Sequence, residues 1–319
     1  LPVVSLSVAI ILFEGGLSLK ITELRHSGRA VINLVTIGVL VTGALSAIAA
    51  WLIFDLDFQL ALLIGAILTV TGPTVIGPLL RHIRPAGKGA TTLKWEGILN
   101  DPIGALAAVL VFEAIASGEL GGSGGSIALE FLKSVGIGTG IGIAGAGLAV
   151  LLLHRYWAPE YLHEVLALSI VILAFTVANE LAAESGLLAV TLMGVIMANQ
   201  NYTSVKHIVE FKENLRVVLV SVLFIVLAAR IELVELEEIA WQAAAFVAAL
   251  VLVIRPVAVW VSTTGTGLDW RDKAFMSWMA PRGIVAAAVT AVFSIGLVST
   301  GYEGAEKLVP IMFSTIVGT

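Results

Sequence analysis

The fold of this chain is decided by Thr69-Val70-Thr71-Gly72-Pro73-Thr74, a polar stretch in the middle of an apolar run over residues 58–80. Gly and Pro together interrupt the hydrogen-bond ladder of a helix. Inside a membrane, backbone groups freed in this way must be satisfied within the protein or line a wet cavity. Taken alone, the stretch is equally typical of a simple kink. The threonines on both sides, and the carboxylate-bearing helix that follows, favour a binding site.

The rest of the chain has the composition of a helical membrane protein. Of its 319 residues, 58% are hydrophobic and 13% are charged, against about 25% charged in soluble domains. The absence of cysteine excludes disulfides and cysteine metal sites. The five histidines fall in or near connections, which argues against a buried histidine metal site. We expect no cofactor and no nucleic-acid partner, with the lipid bilayer as the surroundings.

Apolar runs long enough to cross a bilayer recur from one end of the chain to the other. This pattern predicts an all-α polytopic membrane protein with about 10–11 transmembrane helices in a single transmembrane domain over residues 1–319. The run at 186–199 is short for a full crossing, so a re-entrant segment is the alternative there. The predicted spans are 2–19, 31–54, 58–80, 95–117, 127–153, 161–180, 186–199, 213–230, 239–260, 274–298 and 307 onward.

The placement of Lys and Arg predicts the orientation of these spans. The odd-numbered connections are basic and the alternate ones are acidic, so the odd connections are expected on the cytoplasmic side and Leu1 on the outer side. The chain begins and ends inside apolar runs, which predicts a piece of a longer protein. The basic residues that set this pattern include Lys20, Arg25, Arg29, Arg81, Arg84, Lys88, Lys94, Arg155, Lys206, Lys212, Arg216, Arg255, Arg271 and Lys273.

A second polar stretch, Glu96-Gly-Ile-Leu-Asn100-Asp101-Pro102, interrupts the next span. A carboxylate in hydrocarbon is expensive and usually marks an ion or proton path. Burial disfavours the charged form of such an acid and a nearby cation opposes this effect. Asp101 can therefore hold either a proton or a cation, while Asn100 can hold the helix geometry by hydrogen bonding. The alternative is a buried acid with a structural partner.

Glu96 and Asp101 point about 140° apart on a helix, so they need not share one site. Glu96 needs a partner, and we predict a mainly architectural ion pair with Arg282, which lies in Pro281-Arg282-Gly283 deep in a late span. A third buried acid, Glu14, lies in Phe13-Glu14-Gly15-Gly16-Leu17. An ion ligand, an entrance residue and a snorkelling acid are three readings that the sequence leaves open for it.

Together these motifs resemble the monovalent cation–proton antiporters, specifically the NhaP-like branch that includes the animal sodium–proton exchangers. The resemblance covers essentially the whole chain. It implies an inverted-repeat fold with broken, crossing helices, and a homodimer. In each protomer a core would move against a dimerisation domain in an elevator-like form of alternating access. The core would comprise about 58–117 and 213–319, with 1–54 and 127–199 contributing to dimerisation and core.

The resemblance also assigns roles to residues. Asp101 would carry the ion or the proton, and Thr71 would offer its main-chain carbonyl as a ligand of Na⁺ or another monovalent cation. The Asn–Asp motif implies electroneutral exchange of Na⁺ or Li⁺ for H⁺, in a bacterial inner membrane. An uncut version can carry a cytoplasmic regulatory domain, which this piece does not show. Supporting roles fall to Glu14 as a further ligand, Asn100 at the crossing helices, the Glu96–Arg282 pair, Pro73 and Thr74.

The chain departs from the family pattern at three places. Gly97 replaces a Ser that often touches the ion, and Gly72 replaces an Asp of the broken helix. The second broken helix is expected at Leu308–Thr319, where the predicted span count makes it parallel to 58–80. Since the family's two broken helices are antiparallel, we expect that one segment, 186–199 above all, does not cross fully.

Three other readings compete with a Na⁺/H⁺ antiporter. A K⁺/H⁺ antiporter would use the same machinery, and the missing Ser ligand keeps it open. A channel would carry a filter motif such as TVGYG, which the sequence lacks. An intramembrane enzyme would show a protease-like Asp pair, a buried His or a Gly-x-Ser-x-Gly elbow. None is present, so the chain is predicted not to be an enzyme.

Overall fold

The computed structural model describes residues 2–83, 85, 87–116, 124–155, 159, 162–202, 217–226, 228, 229 and 233–319. Every regular element in these residues is helical, as the hydropathy pattern predicts. Five helices are long and apolar enough to cross a membrane, and five apolar helices are shorter. The predicted all-α membrane fold is therefore confirmed.

Fourteen helices can be followed along the described residues. Two of them contain a π-helical turn, at Leu34–Gly38 and at Leu250–Ile254. The bounds are α1 Pro2–Leu17, α2 Gly28–Phe54, α3 Phe58–Ile67, α4 Pro73–Ile83, α5 Gly89–Ala116, α6 Gly124–His154, α7 His163–Leu181, α8 Ser185–Asn199, α9 Val217–Val226, α10 Leu233–Glu238, α11 Ala240–Ser262, α12 Trp270–Trp278, α13 Ile284–Ser299 and α14 Leu308–Gly318.

The chain divides into two compact units, one formed by residues 1–24 and 123–224 and the other by residues 25–122 and 225–319. In the first unit, α1 and α8 pack backbone to backbone, because a Cβ at Gly16 would meet the carbonyl oxygen of Thr191 and one at Gly194 would meet that of Phe13. The ends of the two helices are also linked, since the Asn199 side-chain amide at the end of α8 donates to the carbonyl of Leu19, just after α1 (2.8 Å).

The second unit consists largely of two helix triplets, α2 to α5 and α11 to α14, each with a broken middle helix. Contacts at one end fix the directions of the helices. The Asn33 amide donates to the carbonyl of Ser262 (2.9 Å), which puts the start of α2 beside the end of α11. The Gly89 amide donates to Asp272 Oδ1 (3.1 Å), which puts the start of α5 beside the start of α12.

A contact at the opposite end completes the topology. The Tyr302 hydroxyl, in the loop after α13, donates to Asp57 Oδ2 (2.6 Å), directly before α3. The broken helix α3–α4 therefore runs antiparallel to α12–α13, and the second triplet runs in the opposite direction to the first. This arrangement is the inverted repeat that the resemblance implies.

One expectation about this topology was wrong. The second break does not lie at Leu308–Thr319, where α14 is continuous from Leu308 to Gly318, but at residues 279–283 between α12 and α13. Pro281 has no amide hydrogen to donate, and Gly283 lowers helix propensity, so the ladder ends there. Since this break belongs to an antiparallel helix, the span count no longer argues against a full crossing by 186–199, and only the shortness of that helix does.

Candidate functional site

The first break lies where the sequence predicts it. Helix α3 ends at Ile67, residues 68–72 are non-helical, and α4 begins at Pro73. Proline fits the first position of a helix because its missing donor would be unpaired there anyway. The Thr69 hydroxyl donates to the carbonyl of Ala66 (2.7 Å), which closes the end of α3. The side chains of Pro73 and Thr74 lie outside the described residues.

The two breaks meet backbone to backbone. A Cβ at Gly72 would overlap the Cα of Gly283, and a Cβ at Gly283 would overlap the Cα of Gly72. Both positions therefore need glycine for this close approach.

Asp101 lies on the side of α5 that packs against the first break. Gly104, three residues further along, is on nearly the same face, and a Cβ there would meet Thr69 Oγ1 and the amide of Val70. Asp101 is fully buried. Both of its carboxylate oxygens lack a hydrogen-bond partner among the described residues.

Two further residues, one in the first break and one on α5, also present buried polar atoms. Thr71, within the first break, is 4% exposed and Asn100, next to Asp101, is 3% exposed. Thr71 Oγ1 and Asn100 Oδ1 have no hydrogen-bond partner within the described part of the chain. Buried polar atoms are normally paired, and oxygens such as these are the ligands that a hard cation prefers.

Glu96 forms a buried ion pair as predicted, but the prediction of Arg282 as its partner was wrong. Glu96 pairs with Arg255, whose two terminal nitrogens reach the two carboxylate oxygens, Nη2 at 2.9 Å from Oε2. Both side chains are buried. The sequence pattern places Arg255 close to a connection, but α11 continues for seven residues beyond it to Ser262. The length of the apolar run was the signal that could have placed Arg255 inside the span.

The same guanidinium also closes the second break. Arg255 Nε donates to the carbonyls of Met276 (3.1 Å) and Met279 (2.9 Å). Met276 lies in the last turn of α12 and Met279 directly follows the helix, where carbonyls have no intrahelical partner. A cation at the C-terminus of a helix is also favoured by the helix dipole. Arg255 directly follows a π-helical turn, a feature that is frequent at functional sites.

Arg282 and Glu14 are both buried, but they belong to different units. Arg282, in the second break, is 2% exposed, and its Nε and Nη2 have no hydrogen-bond partner among the described residues. Glu14 is 7% exposed on α1 of the first unit. Among the residues that the structure describes, no three His, Asp or Glu side chains form a group able to hold a metal ion.

Two antiparallel broken helices that cross beside a buried carboxylate define the class of inverted-repeat secondary transporters. The chain belongs to the sodium/hydrogen exchanger family, because the model of the family's transmembrane region matches residues 3–319. It is therefore an integral membrane protein of a family of transporters, not of enzymes.

Curated relatives carry the names of two kinds of antiporter. The chain is 27% identical over 315 residues to the K(+)/H(+) antiporter NhaP2 of Shewanella sp. strain ANA-3, covering 98% of this chain and 54% of that protein. It is 29% identical over 283 residues to the K(+)/H(+) antiporter NhaP of Alkalimonas amylolytica, covering 88% and 49%. Sodium/hydrogen exchanger 7 of Arabidopsis thaliana is 26% identical over 301 residues, with 88% and 26% covered. The chain thus spans about half the length of the bacterial relatives.

A solved structure shares the fold. The sodium proton antiporter MjNhaP1 of Methanocaldococcus jannaschii superposes with a TM-score of 0.86 at 22% identity, covering 99% of this chain and 83% of that chain. This likeness confirms the architecture of broken helices and does not extend to the ion that is transported.

Proposed function

We propose that the protein exchanges a monovalent cation for protons across the membrane, with Asp101 holding either one. The observation that carries this proposal is a fully buried carboxylate with no hydrogen-bond partner among the described residues, on the side of α5 that packs against an unwound segment. A cation bound to Asp101 supplies the missing charge, and a proton removes the charge that burial disfavours. Cation and proton therefore compete for one site.

The main-chain carbonyl of Thr71 and the carboxylate of Asp101 are the proposed ligands, and Asn100 steadies the crossing helices. Glu14 is proposed as a further ligand by the resemblance alone. A single titrating carboxylate exchanges one proton for one monovalent cation, so the exchange is electroneutral. The second unit would form the moving core of an elevator-like cycle in a homodimer. The surrounding membrane would be the bacterial plasma membrane.

Na⁺ and K⁺ are the two candidate ions. Na⁺ follows from the likeness to sodium–proton exchangers. K⁺ is favoured by the names of the bacterial relatives and by Gly97, which offers no hydroxyl ligand where relatives often have Ser. Fewer fixed oxygens give a looser site, which suits the larger ion that is easier to dehydrate.

The test is cation-driven proton movement in proteoliposomes of the full-length protein, followed with a pH-sensitive dye under an imposed pH gradient. Na⁺, Li⁺ and K⁺ are added in turn, with and without a potassium ionophore. We expect at least one of them to collapse the gradient independently of membrane voltage. Asp101→Asn should abolish this response in a folded protein, whereas Glu306→Gln, which removes an exposed carboxylate, should retain it. Transport by Asp101→Asn would refute the assignment, and the responding cation identifies the ion.

A further inference from the structure

We propose that the second unit binds the headgroup of an anionic phospholipid through Arg271 and Lys273, beside the indoles of Trp260 and Trp270. These four residues, named here the interfacial cluster, lie at the end of α11 and in the first turn of α12. They take no part in the proposed ion site.

The length of α11 places the cluster at the membrane surface. This apolar helix has 23 residues, which corresponds to a length of about 35 Å. That length is sufficient to cross a hydrocarbon core of about 30 Å. Trp260 lies two residues before its end and is 49% exposed. Tryptophan at such a position sits at the level of the lipid headgroups.

The two cations of the cluster are held at this level by the tryptophans. Lys273 Nζ lies 5.3 Å from the centre of the Trp260 ring, and Arg271 Cζ lies 5.7 Å from that of Trp270. Neither cation is paired with a carboxylate among the residues that the structure describes. A cation over an aromatic face keeps its remaining N–H donors free for an anion.

The nearby charges leave this surface positive. Asp272 is turned toward the start of α5, where its Oδ1 accepts the amide of Gly89 and its charge is offset by the positive helix end. Asp269 is the remaining carboxylate of the first turn of α12. Lys88 and Arg29, both exposed at this end of the unit, add further positive charge. At the depth of the headgroups the complementary anion is the phosphate of an acidic lipid such as phosphatidylglycerol.

Lipid binding here would act on the second break. The headgroup would hold the first turn of α12, and Arg255 already holds the carbonyl of Met276 in its last turn and that of Met279 directly after it. The half-helix would then be fixed at both ends, at the membrane surface and at the crossing. The lipid would thus set the position of one of the two backbone segments that meet at Gly72 and Gly283.

The proposal is tested by native mass spectrometry of the full-length protein in detergent with equal amounts of phosphatidylglycerol and phosphatidylcholine. We expect the native protein to retain phosphatidylglycerol preferentially. Each basic residue near an anionic surface strengthens the attraction about fivefold, so Arg271→Gln/Lys273→Gln should weaken the most tightly held phosphatidylglycerol by about 30-fold. Trp260→Leu, which keeps both cations, should weaken it less.

The matched control is Lys133→Gln/Lys307→Gln, which removes the same charge from two exposed positions outside the cluster and should leave the preference intact. Equal losses in the two double variants, or retention of the preference in Arg271→Gln/Lys273→Gln, would overturn the proposal. The melting temperature of each variant without added lipid shows that it is folded. The readout is lipid binding and not transport, so this result stands apart from that of the ion-exchange test.

Discussion

Arg255 is the residue that joins the two helix triplets most directly. Its guanidinium binds Glu96 on α5 and the last carbonyls of α12 while its own backbone belongs to α11. A buried ion pair contributes little net stability, but removing one partner strands the other charge. The value of the pair is therefore to fix geometry: α5, which carries Asp101, is tied to the half-helix at the second break.

This pairing predicts a specific pattern of stabilities. Arg255→Met should lower the free energy of unfolding by about 3–5 kcal/mol, because it leaves the Glu96 carboxylate buried without its cation. Adding Glu96→Gln should recover much of the loss. The measurement is thermal unfolding of the purified variants in detergent.

The control for that experiment exchanges the arginine. Arg282→Met combined with Glu96→Gln should show no such recovery, because Arg282 is not the partner in the structure. If this combination, and not the one with Arg255, regains stability, the pairing in solution is Glu96–Arg282.

The sequence predicts that Glu96 needs a buried cation but not which one. The sequence favours Arg282 because it is predicted deep inside a membrane span, whereas Arg255 is predicted near the polar end of its own span. Two arginines at similar depth cannot be ranked without knowing which helices are neighbours. In contrast, the candidate site residues Asp101, Asn100 and Thr71 can be selected from the sequence, because polar residues inside an apolar span are unusual whichever helices are neighbours.

At the scale of elements, the crossing of the two breaks depends on the absence of side chains. Each glycine packs directly against the backbone of the other segment. Backbone atoms, unlike a side chain, cannot adopt another rotamer to make room. The first break could be predicted from Gly72 and Pro73 within an apolar run. The second break was not predicted from Pro281 and Gly283, because Arg282 lies between them and its charge was interpreted as one half of an ion pair.

The crossing predicts a contrast between two glycines of the same broken helix. Gly72→Ala should destabilise the protein by about 1–3 kcal/mol or more, as overpacking does, and should impair transport. Gly77→Ala adds the same methyl group to α4 where no atom lies within 4 Å. It should stabilise the helix by about 0.5–1 kcal/mol.

Both values are measured as unfolding temperatures, with transport assayed in proteoliposomes. If Gly72→Ala were as stable and as active as Gly77→Ala, the two breaks could not be in backbone contact in the native protein.

At the scale of the whole molecule, the second unit has opposite charges at its two ends. The start of α2, the start of α5 and the first turn of α12 carry Arg29, Lys88, Arg271 and Lys273. The other end carries Asp55, Asp57, Glu303 and Glu306. Charge placement along the sequence anticipates this polarity without any knowledge of packing. By the positive-inside rule the basic end is expected in the cytoplasm.

The orientation can be measured because the chain contains no cysteine. We expect Glu303→Cys to react with a membrane-impermeant thiol reagent added to intact cells. Thr264→Cys, at the exposed basic end, should react only after the membrane is permeabilised. The reverse pattern would invert the orientation of the protein. The protein without an introduced cysteine measures the background labelling.

The contact between Gly72 and Gly283 also constrains how this gene can vary. The obstacle to any larger residue at one position is main chain at the other, so no side-chain replacement nearby can restore the lost space. In a library of random variants, we expect both codons to tolerate glycine alone. Second-site suppressors of a change at either glycine should be absent from the side chains around the crossing.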